Sequence, residues 1–513
     1  MKIKSIPFYL IMLFFSAKSF AQVPYEWPII NSNLTPKLTS INHKVDSLWK
    51  LQGSPGYCTN FAGNLQAANG NVGYKLFTPA PPGPFDSVYE NQVLEKVDTM
   101  LIAMDSLGYK ALEITIPYPL LCDSFPNNKI YLDFFKKVYA MARSMGFKII
   151  DHNTTVMLSN SGTDTILSND AKKYYSTPAP LNTSRYLYSI TKMRQTVIDS
   201  LTPDYLTLEV EPETQQANLE NLITFTPTSA LSMLNYFLAN LKHKGNILFG
   251  AGGGTWNTLN YYENYAATSV DYLDYHIFVA NGTEFNPEVF QIDSIAKVNG
   301  KRLVIGECSL HKESDSEYVA HPYPGNPYFN AVGDREVFDY FEGIDTLFQQ
   351  ALINLSQQAD IDLVNFFPVY DEFGYLTWQN SYVGVSDNIL SSKGLRLQRN
   401  NLDNMAFGPL GIFTKKAIAK INCSLTDVNN MQRSSDEINI YPNPVSSQLS
   451  ISFNQPVQNI KIENTLGQTI LDIKINSSDL STQTIDVRNF PNGIYFIKIK
   501  SSSDYIVRKF IKN

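Results

Sequence analysis

The sequence is poor in cysteine, in like-charge runs and in long apolar segments, and each shortage excludes a class of protein. The 513 residues include four cysteines, none of them in a C-x-x-C pair, which excludes zinc ribbons and dithiol redox motifs. The formal net charge of −7 is not concentrated in a like-charge run, so the chain lacks the basic patch that binds nucleic acid or an anionic membrane. We therefore expect no nucleic-acid partner.

The one long apolar segment lies at the N-terminus. Two lysines within the first four residues precede an apolar run at 6–15, and the triplet SFA at 19–21 forms a small-x-small cleavage site. We interpret residues 1–21 as a secretory signal peptide. Its apolar part has about ten residues, whereas a bilayer crossing takes about 20. Because no other apolar run is long enough, we expect no transmembrane helix.

The cysteines are scattered along a chain that we expect to be exported. An exported location permits disulfides, but the sequence leaves the pairing of Cys58, Cys122, Cys308 and Cys423 open. Cys308 directly follows Glu307, where it could be mistaken for a nucleophile. We interpret it as a residue that packs beside its strand.

Short apolar runs alternate with amphipathic segments between residues 92 and 421. Apolar residues recur at helical spacing in several segments, as at Leu94, Val97 and Leu101. Glycines at positions 108, 146, 245 and 300 stand just before predicted strands, as helix C-caps do. The predicted strands lie at 111–117, 148–152, 205–210, 247–250, 272–278, 302–306 and 362–367, with an eighth, the first in order, between 56 and 78.

This alternation predicts an α/β fold, a (β/α)8 TIM barrel within residues 22–422. A doubly wound open sheet is the alternative, but no G-x-G-x-x-G phosphate loop opens a predicted helix. The glycine run at 252–254 is interpreted as a turn after the fifth strand.

The composition changes after Cys423. Residues 423–437 are polar and lack an apolar period, which indicates a linker. Residues 438–513 show short alternating strands separated by turn signals, such as the PNG triplet at 491–493. This pattern predicts a small all-β, immunoglobulin-like sandwich.

The C-terminal segment also resembles a known family. The motifs IYPNP at 440–444, NTLGQ at 464–468, PNGIY at 491–495 and RKFIK at 508–512 occur in this order. Together they are similar to the C-terminal sorting domain of the type IX (Por) secretion system. The resemblance implies a Bacteroidetes-type bacterium, passage through the outer membrane by the type IX machinery, and a place at the cell surface or outside the cell. A generic carbohydrate-binding sandwich is the alternative.

Two strand-like runs end in carboxylates, YLTLEVEPE at 205–213 and LVIGE at 303–307. If both strands belong to one parallel barrel, their ends meet at the mouth where barrel enzymes carry their active sites. Strict alternation along the first run turns Thr207, Glu209 and Glu211 toward the barrel axis. The same rule places Glu307 on one face with Leu303 and Ile305.

The two runs are similar to those of clan A glycoside hydrolases, barrels that include cellulases, mannanases and galactanases. In that clan strand four ends in Asn-Glu-Pro, with the Glu as acid/base, and strand seven ends in a Glu nucleophile. The resemblance covers roughly residues 90–380 and implies Glu211 as acid/base and Glu307 as nucleophile. Two departures stand out: Val210 replaces the Asn, and strand two carries Glu113 and Thr115 where many members have an Arg.

Further residues are expected to line the cleft. Two histidines end predicted strands, and three aromatic residues follow strands five and eight, where their rings can stack on sugars. Packing in the core is the alternative for each of them. With the acid beside Glu211, the expected substrate-binding set is Glu209, His152, His276, Trp256, Tyr370 and Trp378.

These features predict a secreted enzyme that cleaves β-linked polysaccharides or oligosaccharides with two carboxylates by a retaining mechanism, without a metal or cofactor. A first alternative is a surface barrel that binds glycans without cleaving them. A second is a metal-dependent hydrolase with His152, His276, Glu209 and Glu307 as ligands, although no His-x-His or H-E-x-x-H spacing occurs. The sequence does not identify the glycan.

Overall fold

The structure, a computed structural model, describes most of the chain in segments. The described residues are 39–40, 42, 58–65, 85–156, 164–242, 245–279, 288–310, 337–382, 385, 387–421, 439–441, 445–452, 457–464, 468–475, 482–501 and 505–512. The chain divides into two compact units, Met1–Ser424 and Leu425–Asn513. The predicted signal peptide at 1–21 and the predicted linker at 423–437 lie outside the described residues, so these two boundaries stay predictions.

Eight parallel strands close into a barrel in the first unit. Each strand pairs with the next in chain order, and the last pairs with the first. The strands are β1 (Asn60–Asn64), β2 (Ala111–Thr115), β3 (Lys148–His152), β4 (Tyr205–Glu209), β5 (Leu248–Gly254), β6 (Tyr272–Val279), β7 (Arg302–Leu310) and β8 (Leu363–Phe366). This confirms the predicted (β/α)8 barrel, including a first strand between residues 56 and 78.

Helices surround the barrel between and after its strands. Those with described bounds are α1 (Ser87–Leu107), α2 (Asn128–Ser144), α3 (Asp164–Ser176), α4 (Thr183–Ser200), α5 (Pro212–Asn218), α6 (Pro227–Asn240), α7 (Leu259–Ala266), α8 (Val289–Val298), α9 (Glu342–Gln358), α10 (Asp387–Asp403) and α11 (Pro409–Ile418). The ends of α1 show why the chain turns where it does. The Asp86 carboxylate accepts hydrogen bonds from the amides of Val88 and Tyr89, and Gly108 ends the helix at φ 96°.

Alternation along the strands builds two apolar layers. One set of side chains fills the barrel interior: Ala62, Ala111, Ile150, Tyr205, Tyr272, Val304 and Leu363. Their strand neighbours, such as Leu112, Leu206 and Leu273, belong to the larger core between the strands and the helices. The lower barrel is therefore closed by packing, and polar side chains are left for its upper layers.

The glycine run of β5 corrects one prediction. Residues 252–254 belong to the strand itself and do not form the expected turn. Glycine is needed on this strand because neighbouring side chains occupy the space of a Cβ. At Gly250 an added Cβ would lie 2.1 Å from the Tyr272 ring, so β5 leaves room for a tyrosine inside the barrel.

The second unit contains two antiparallel sheets. Their strands are β9 (Asn439–Tyr441), β10 (Gln448–Ser452), β11 (Val457–Asn464), β12 (Thr469–Lys474), β13 (Thr482–Asp486), β14 (Gly493–Ser501) and β15 (Tyr505–Lys512). The sheet orders are β13-β10-β9 and β12-β11-β14-β15. Both sheets contribute to one apolar core, with Leu449 and Ile451 from the first and Ile460 and Ile497 from the second. This confirms the predicted small β sandwich.

The described cysteines take different states. Cys58 is in a disulfide, whereas Cys122 and Cys308 are free and buried. Cys308 packs in the outer core and its thiol donates to the Asn365 carbonyl over 3.0 Å, which confirms the expectation that it packs beside its strand. None of the described helices combines the length and the apolar character that a bilayer crossing needs.

The glycine at position 250 leads to a stability prediction. Gly250→Ala should lower the free energy of unfolding by about 1–3 kcal/mol, because the new methyl group overpacks the barrel against Tyr272. Gly343→Ala in α9 is the matched control, since a Cβ there meets nothing within 4 Å, and it should leave stability unchanged or slightly higher. Urea unfolding of both variants measures the difference. Equal stability of the two variants would contradict the proposed crowding.

Candidate active site

A β-bulge in β4 separates two acids that strict alternation would place together. Thr207 pairs with Gly250 and Glu209 pairs with Ala251, so Leu208 is an extra residue in the strand. Leu208 and Ala251 both belong to the outer core. Glu209 therefore turns toward the helices, and the expectation that it faces the barrel axis is wrong.

Glu209 lies in a buried polar pocket behind the strand. It is 1% exposed, and its titratable neighbours are Arg194 and Tyr186 of α4 and Tyr265 of α7. The Arg194 guanidinium stacks over the Phe237 ring at 4.2 Å and donates to the Leu208 carbonyl. Burial raises the pKa of Glu209 to about 8, although Arg194 opposes the shift. The structure thus separates Glu209 from the other predicted site residues.

Glu211 stands at the junction between β4 and α5. Its backbone adopts a left-handed conformation, with φ 45°, and Pro212 begins the helix directly after it. This turn brings the Glu211 side chain, 15% exposed, to 2.7 Å between Oε1 and Nδ1 of His276 on β6. A non-glycine residue in this conformation is uncommon and often marks a functional site.

Glu307 reaches the same place through a second bulge. Asp274 pairs with Val304 and His276 pairs with Glu307, so β7 holds one residue more than β6 over this stretch. Ile305 packs in the outer core and Val304 in the barrel interior. The expectation that Glu307 shares a face with Leu303 and Ile305 is therefore wrong, because the bulge turns Glu307 inward.

Glu211 and Glu307 approach each other closely. One carboxylate oxygen of each, together with a ring nitrogen of His276, lie within 4.8 Å of one another. The Glu307 side chain is 17% exposed, and its Oε2 lies 4.0 Å from His276 Nδ1. Burial raises the pKa of Glu307, and the nearby Glu113 adds to the shift. Two partly exposed carboxylates thus face each other across the end of the barrel.

Two fully buried histidines lie against these acids. His152 of β3 and His276 of β6 have ring centroids 5.2 Å apart, and Asp274 contacts both rings. Burial opposes a positive charge on either ring, but Asp274 outweighs it and raises the pKa of His276 to about 10 and that of His152 well above its usual value. Burial likewise opposes ionisation of Asp274, yet the two histidines hold the pKa of that carboxyl well below its usual range.

Glu113 of β2 completes the charged group. Its Oε1 lies 3.4 Å from His152 Nδ1 and accepts from Thr115 Oγ1 at 2.5 Å, and its Oε2 accepts from Asn365 Nδ2 at 2.9 Å. Burial would raise the pKa of Glu113, but His152 and these donors lower it. Glu113 and Asp274 were not among the predicted site residues. Regular alternation along the strands could have identified them. Glu113 lies two residues after Ala111 and Asp274 two residues after Tyr272, and both Ala111 and Tyr272 fill the barrel interior.

The predicted aromatic residues fall into two groups. Trp256, after β5, is half-buried and packs at 5.8 Å from the Phe278 ring of β6, which in turn lies 6.3 Å from Phe367 after β8. Phe278 and Phe367 were missed, although Phe278 continues the inward alternation that starts at Tyr272 on β6 and Phe367 directly follows β8. These three rings offer partly exposed apolar faces at the C-terminal ends of the strands.

Trp378 and Tyr370 lie differently. Trp378 is 3% exposed and packs against Phe338 and Tyr382, which is the core packing that stood as its alternative. Tyr370 is half-buried and lies under the Arg399 guanidinium at 5.9 Å. Neither contact joins them to the carboxylate group, and their predicted role in substrate binding stays a prediction.

Metal binding by the predicted ligand set is not favoured by this arrangement. Glu209 lies behind β4, away from His152, His276 and Glu307. The histidines and acids do form three groups of potential donors within 4.8 Å: His152, Asp274 and His276; Glu113, His152 and Glu307; and Glu211, His276 and Glu307. In each group ring nitrogens lie at ion-pair distance from carboxylate oxygens, while His152 Nδ1, His276 Nε2 and Asp274 Oδ1 make no hydrogen bond to any described residue.

The C-terminal unit matches a known family. A family model described as a secretion system C-terminal sorting domain covers residues 439–513. The second unit is therefore such a sorting domain, as its motifs predict. It directs the protein across the outer membrane to the cell surface or the extracellular space. A search of curated protein sequences finds no match to this chain.

Several solved structures align with large parts of this chain. An endo-β-1,4-mannanase from Cellulomonas fimi aligns over 95% of this chain and 99% of that chain, with 12% identity and a TM-score of 0.34. A GH30 endoxylanase from Clostridium papyrosolvens aligns over 85% and 95%, with 10% identity and a TM-score of 0.37. A GH5 protein from Bifidobacterium longum aligns over 71% and 78%, with 13% identity and a TM-score of 0.41. At these values the activity has to be argued from the site itself.

The outward position of Glu209 leads to a pH prediction. Its pKa of about 8 in the folded protein lies above the value of about 4.3 in an unfolded chain. Ionisation of Glu209 therefore costs stability as the pH rises through this window, and Glu209→Gln, which cannot ionise, should gain stability relative to the unmodified protein from about pH 4 to about pH 8.

Urea unfolding across this pH range measures the effect. Glu95→Gln is the control, because it removes a carboxylate from an exposed position on α1. Parallel stability curves for Glu209→Gln and the unmodified protein would show that Glu209 is not buried as described.

Proposed function

We propose that the barrel is a retaining glycoside hydrolase that acts on β-linked polysaccharides or oligosaccharides outside the cell. The observation that carries this proposal is that one carboxylate oxygen of Glu211 and one of Glu307 lie within 4.8 Å of each other at the mouth of a parallel barrel. Retaining glycosidases hold their two carboxyl groups about 5–5.5 Å apart, whereas inverting enzymes need about 6.5–9.5 Å to admit a water molecule. The short separation therefore supports the retaining mechanism.

In the first step Glu307 attacks the anomeric carbon. An oxygen of its carboxylate forms a bond to that carbon while the bond to the leaving oxygen breaks, and Glu211 gives its proton to the leaving oxygen. The imidazoles of His152 and His276 lie beside Glu307 at 3.8 and 4.0 Å. Their positive charges partly offset the burial that raises the pKa of Glu307, which supports its role as an ionised nucleophile.

In the second step water releases the sugar. Glu211, now ionised, takes a proton from a water molecule whose oxygen attacks the anomeric carbon, and the bond to Glu307 breaks. His276 contacts Glu211 at 2.7 Å and holds it in place while its protonation state changes. Because both faces of the sugar are attacked in turn, the configuration at the anomeric carbon is retained.

The surroundings of the acids fit a neutral sugar chain. The rings of Trp256, Phe278 and Phe367 offer apolar faces of the kind that stack on sugars. The net charge of −7 does not favour a polyanionic substrate. We further propose that the segment at 1–21 starts export and that the type IX machinery completes it, so the substrate is met outside the cell.

The proposed roles lead to a test with three variants. Glu307→Gln should lose nearly all turnover, and Glu211→Gln should lose about 10²- to 10⁴-fold in kcat on glycosides with a poor leaving group. Glu209→Gln is the matched control: it removes an acid only two residues from Glu211, but one that faces the helices, and it should keep its activity. Product release from a panel of polysaccharides and chromogenic glycosides measures all three.

The same panel separates hydrolysis from binding. If the barrel only binds glycans, the unmodified protein will retain a glycan without releasing product, and Glu307→Gln will behave like it. If Glu209→Gln lost activity while Glu211→Gln kept it, Glu209 would be the acid/base and the assignment of that role to Glu211 would be wrong. NMR of the first-formed product reports its anomeric configuration, and inversion would contradict the retaining mechanism.

Metal removal tests the competing hydrolase mechanism. Because the ring nitrogens of His152 and His276 already face carboxylates, we expect activity to survive dialysis against a strong chelator. Loss of activity that added Zn²⁺ restores would favour a metal-dependent hydrolase instead. Unfolding measured before and after dialysis controls for a loss of structure.

A further inference from the structure

Asp274 lies at the centre of the buried histidine pair. Its side chain is 0% exposed and projects from β6 into the barrel, where Thr207 Oγ1 donates to its Oδ2 over 2.7 Å. Gly306 of β7 leaves the space that it fills, since a Cβ at Gly306 would lie 2.2 Å from Asp274 Oδ1. The carboxylate is thus held by β4 across the barrel interior and by the neighbouring strand β7.

Each imidazole connects Asp274 to one of the proposed catalytic acids. His276 has Nε2 3.6 Å from Asp274 Oδ1 and Nδ1 2.7 Å from Glu211 Oε1. His152 has Nε2 3.0 Å from Asp274 Oδ2, and its Nδ1 lies 3.4 Å from Glu113 Oε1 and 3.8 Å from Glu307 Oε1. The contacts His152–Asp274 and His276–Glu211 are hydrogen bonds, and the others are ion-pair distances. Both rings therefore turn one nitrogen to Asp274 and the other to a carboxylate of the site.

The protonation of the rings follows from these partners. A neutral imidazole donates from one nitrogen only, whereas a ring that faces carboxylates on both sides is satisfied when both nitrogens carry a proton. The titratable and charged groups around the pair come from every neighbouring strand. They are Glu113 of β2, Asp151 of β3, Tyr272 and Asp274 of β6, Glu307 of β7, and Glu211 after β4. Glu113 and Asp274 face the rings from below the partly exposed acids. Asp274 and Glu307 each lie within ion-pair distance of both rings.

We infer that Asp274 is a positioning residue, which orients Glu211 through His276 and Glu307 through His152 for the retaining reaction. The inference rests on the proposed function. Asp274 is fully buried whereas both acids are partly exposed, so it does not touch the substrate. It acts through the orientation and charge of the two rings, much as a buried aspartate orients the histidine of a catalytic triad.

Asp274→Asn tests this role with little change in shape. The amide nitrogen donates where the carboxylate accepted, so at least one ring must lose its proton or turn away. We expect kcat to fall by about 100-fold or more with little change in KM, as in triads in which the orienting aspartate becomes asparagine. The alkaline limb of the pH profile should move to lower pH, because a ring without its anionic partner loses its proton more easily.

Asp151→Asn is the matched control. Asp151 is also fully buried and lies on the neighbouring strand β3, but its carboxylate faces outward and accepts from Tyr139 of α2 at 2.5 Å. This variant should lose stability but should move the pH limb by less than Asp274→Asn does, because Asp151 acts on His152 only through its charge and contacts neither ring. An equal shift of the same pH limb in both variants would assign the effect to general destabilisation and overturn the inference.

A second readout does not depend on activity. The chain has six histidines, few enough to assign their ring C–H signals in NMR by single substitutions. In Asp274→Asn the titrations of His152 and His276 should both move to lower pH. Unchanged titrations would overturn the inference even if kcat falls.

The two proposals can fail separately. If the unmodified protein is active but Asp274→Asn keeps its kcat and pH profile, the positioning role is wrong and the proposed function stands. If the unmodified protein cleaves no glycan, the proposed function fails, and the NMR titrations still decide whether Asp274 controls the rings. Should Asp274→Asn not fold, Thr207→Val removes only the hydroxyl that donates to Asp274 and should move the same limb by a smaller amount. No movement in Thr207→Val would then overturn the inference.

Discussion

One buried carboxylate between two buried imidazoles sets the electrostatics of this barrel. Burial alone would remove the protons of both rings, but the charge of Asp274 raises the pKa of His152 and of His276 well above the usual range. The protonated rings in turn favour the ionised forms of Glu113 and Glu307, against the cost of burying them. Residues on β2, β3, β6 and β7, together with Glu211 after β4, thus form one charged unit. Gly306 makes it possible because it leaves the space that Asp274 fills.

The fold could be predicted well because its signals are local. The apolar run of β3 occurs at 148–152 as expected, and the predicted C-cap glycines at 108, 146, 245 and 300 all have positive φ. In the C-terminal unit the motifs alone identified the sorting domain. The glycines of β5 were misinterpreted because glycine is common in turns, and only the Tyr272 ring on the next strand explains why a strand needs glycine at position 250.

The site could be predicted in part. Glu211 and Glu307 were placed at the barrel mouth, and the structure brings them together there, because Glu211 follows β4 and Glu307 lies in the C-terminal half of β7. The position of Glu209 was wrong, since a bulge depends on the register between neighbouring strands, which one strand's sequence does not show. Glu113 and Asp274 were missed for a different reason. Regular alternation places both inside the barrel, but only their contacts with the two histidines reveal that they belong to the site.

The bulges in β4 and β7 have a consequence for comparing this chain with other barrels. Each bulge is one residue of extra length, and the pairing beyond it is offset by one residue from the pairing before it. An alignment with a barrel of regular strands must therefore open a gap inside a core strand, where gaps are least expected. Such barrels are therefore better compared by the side chains that meet at the mouth than by a sequence alignment of their strands.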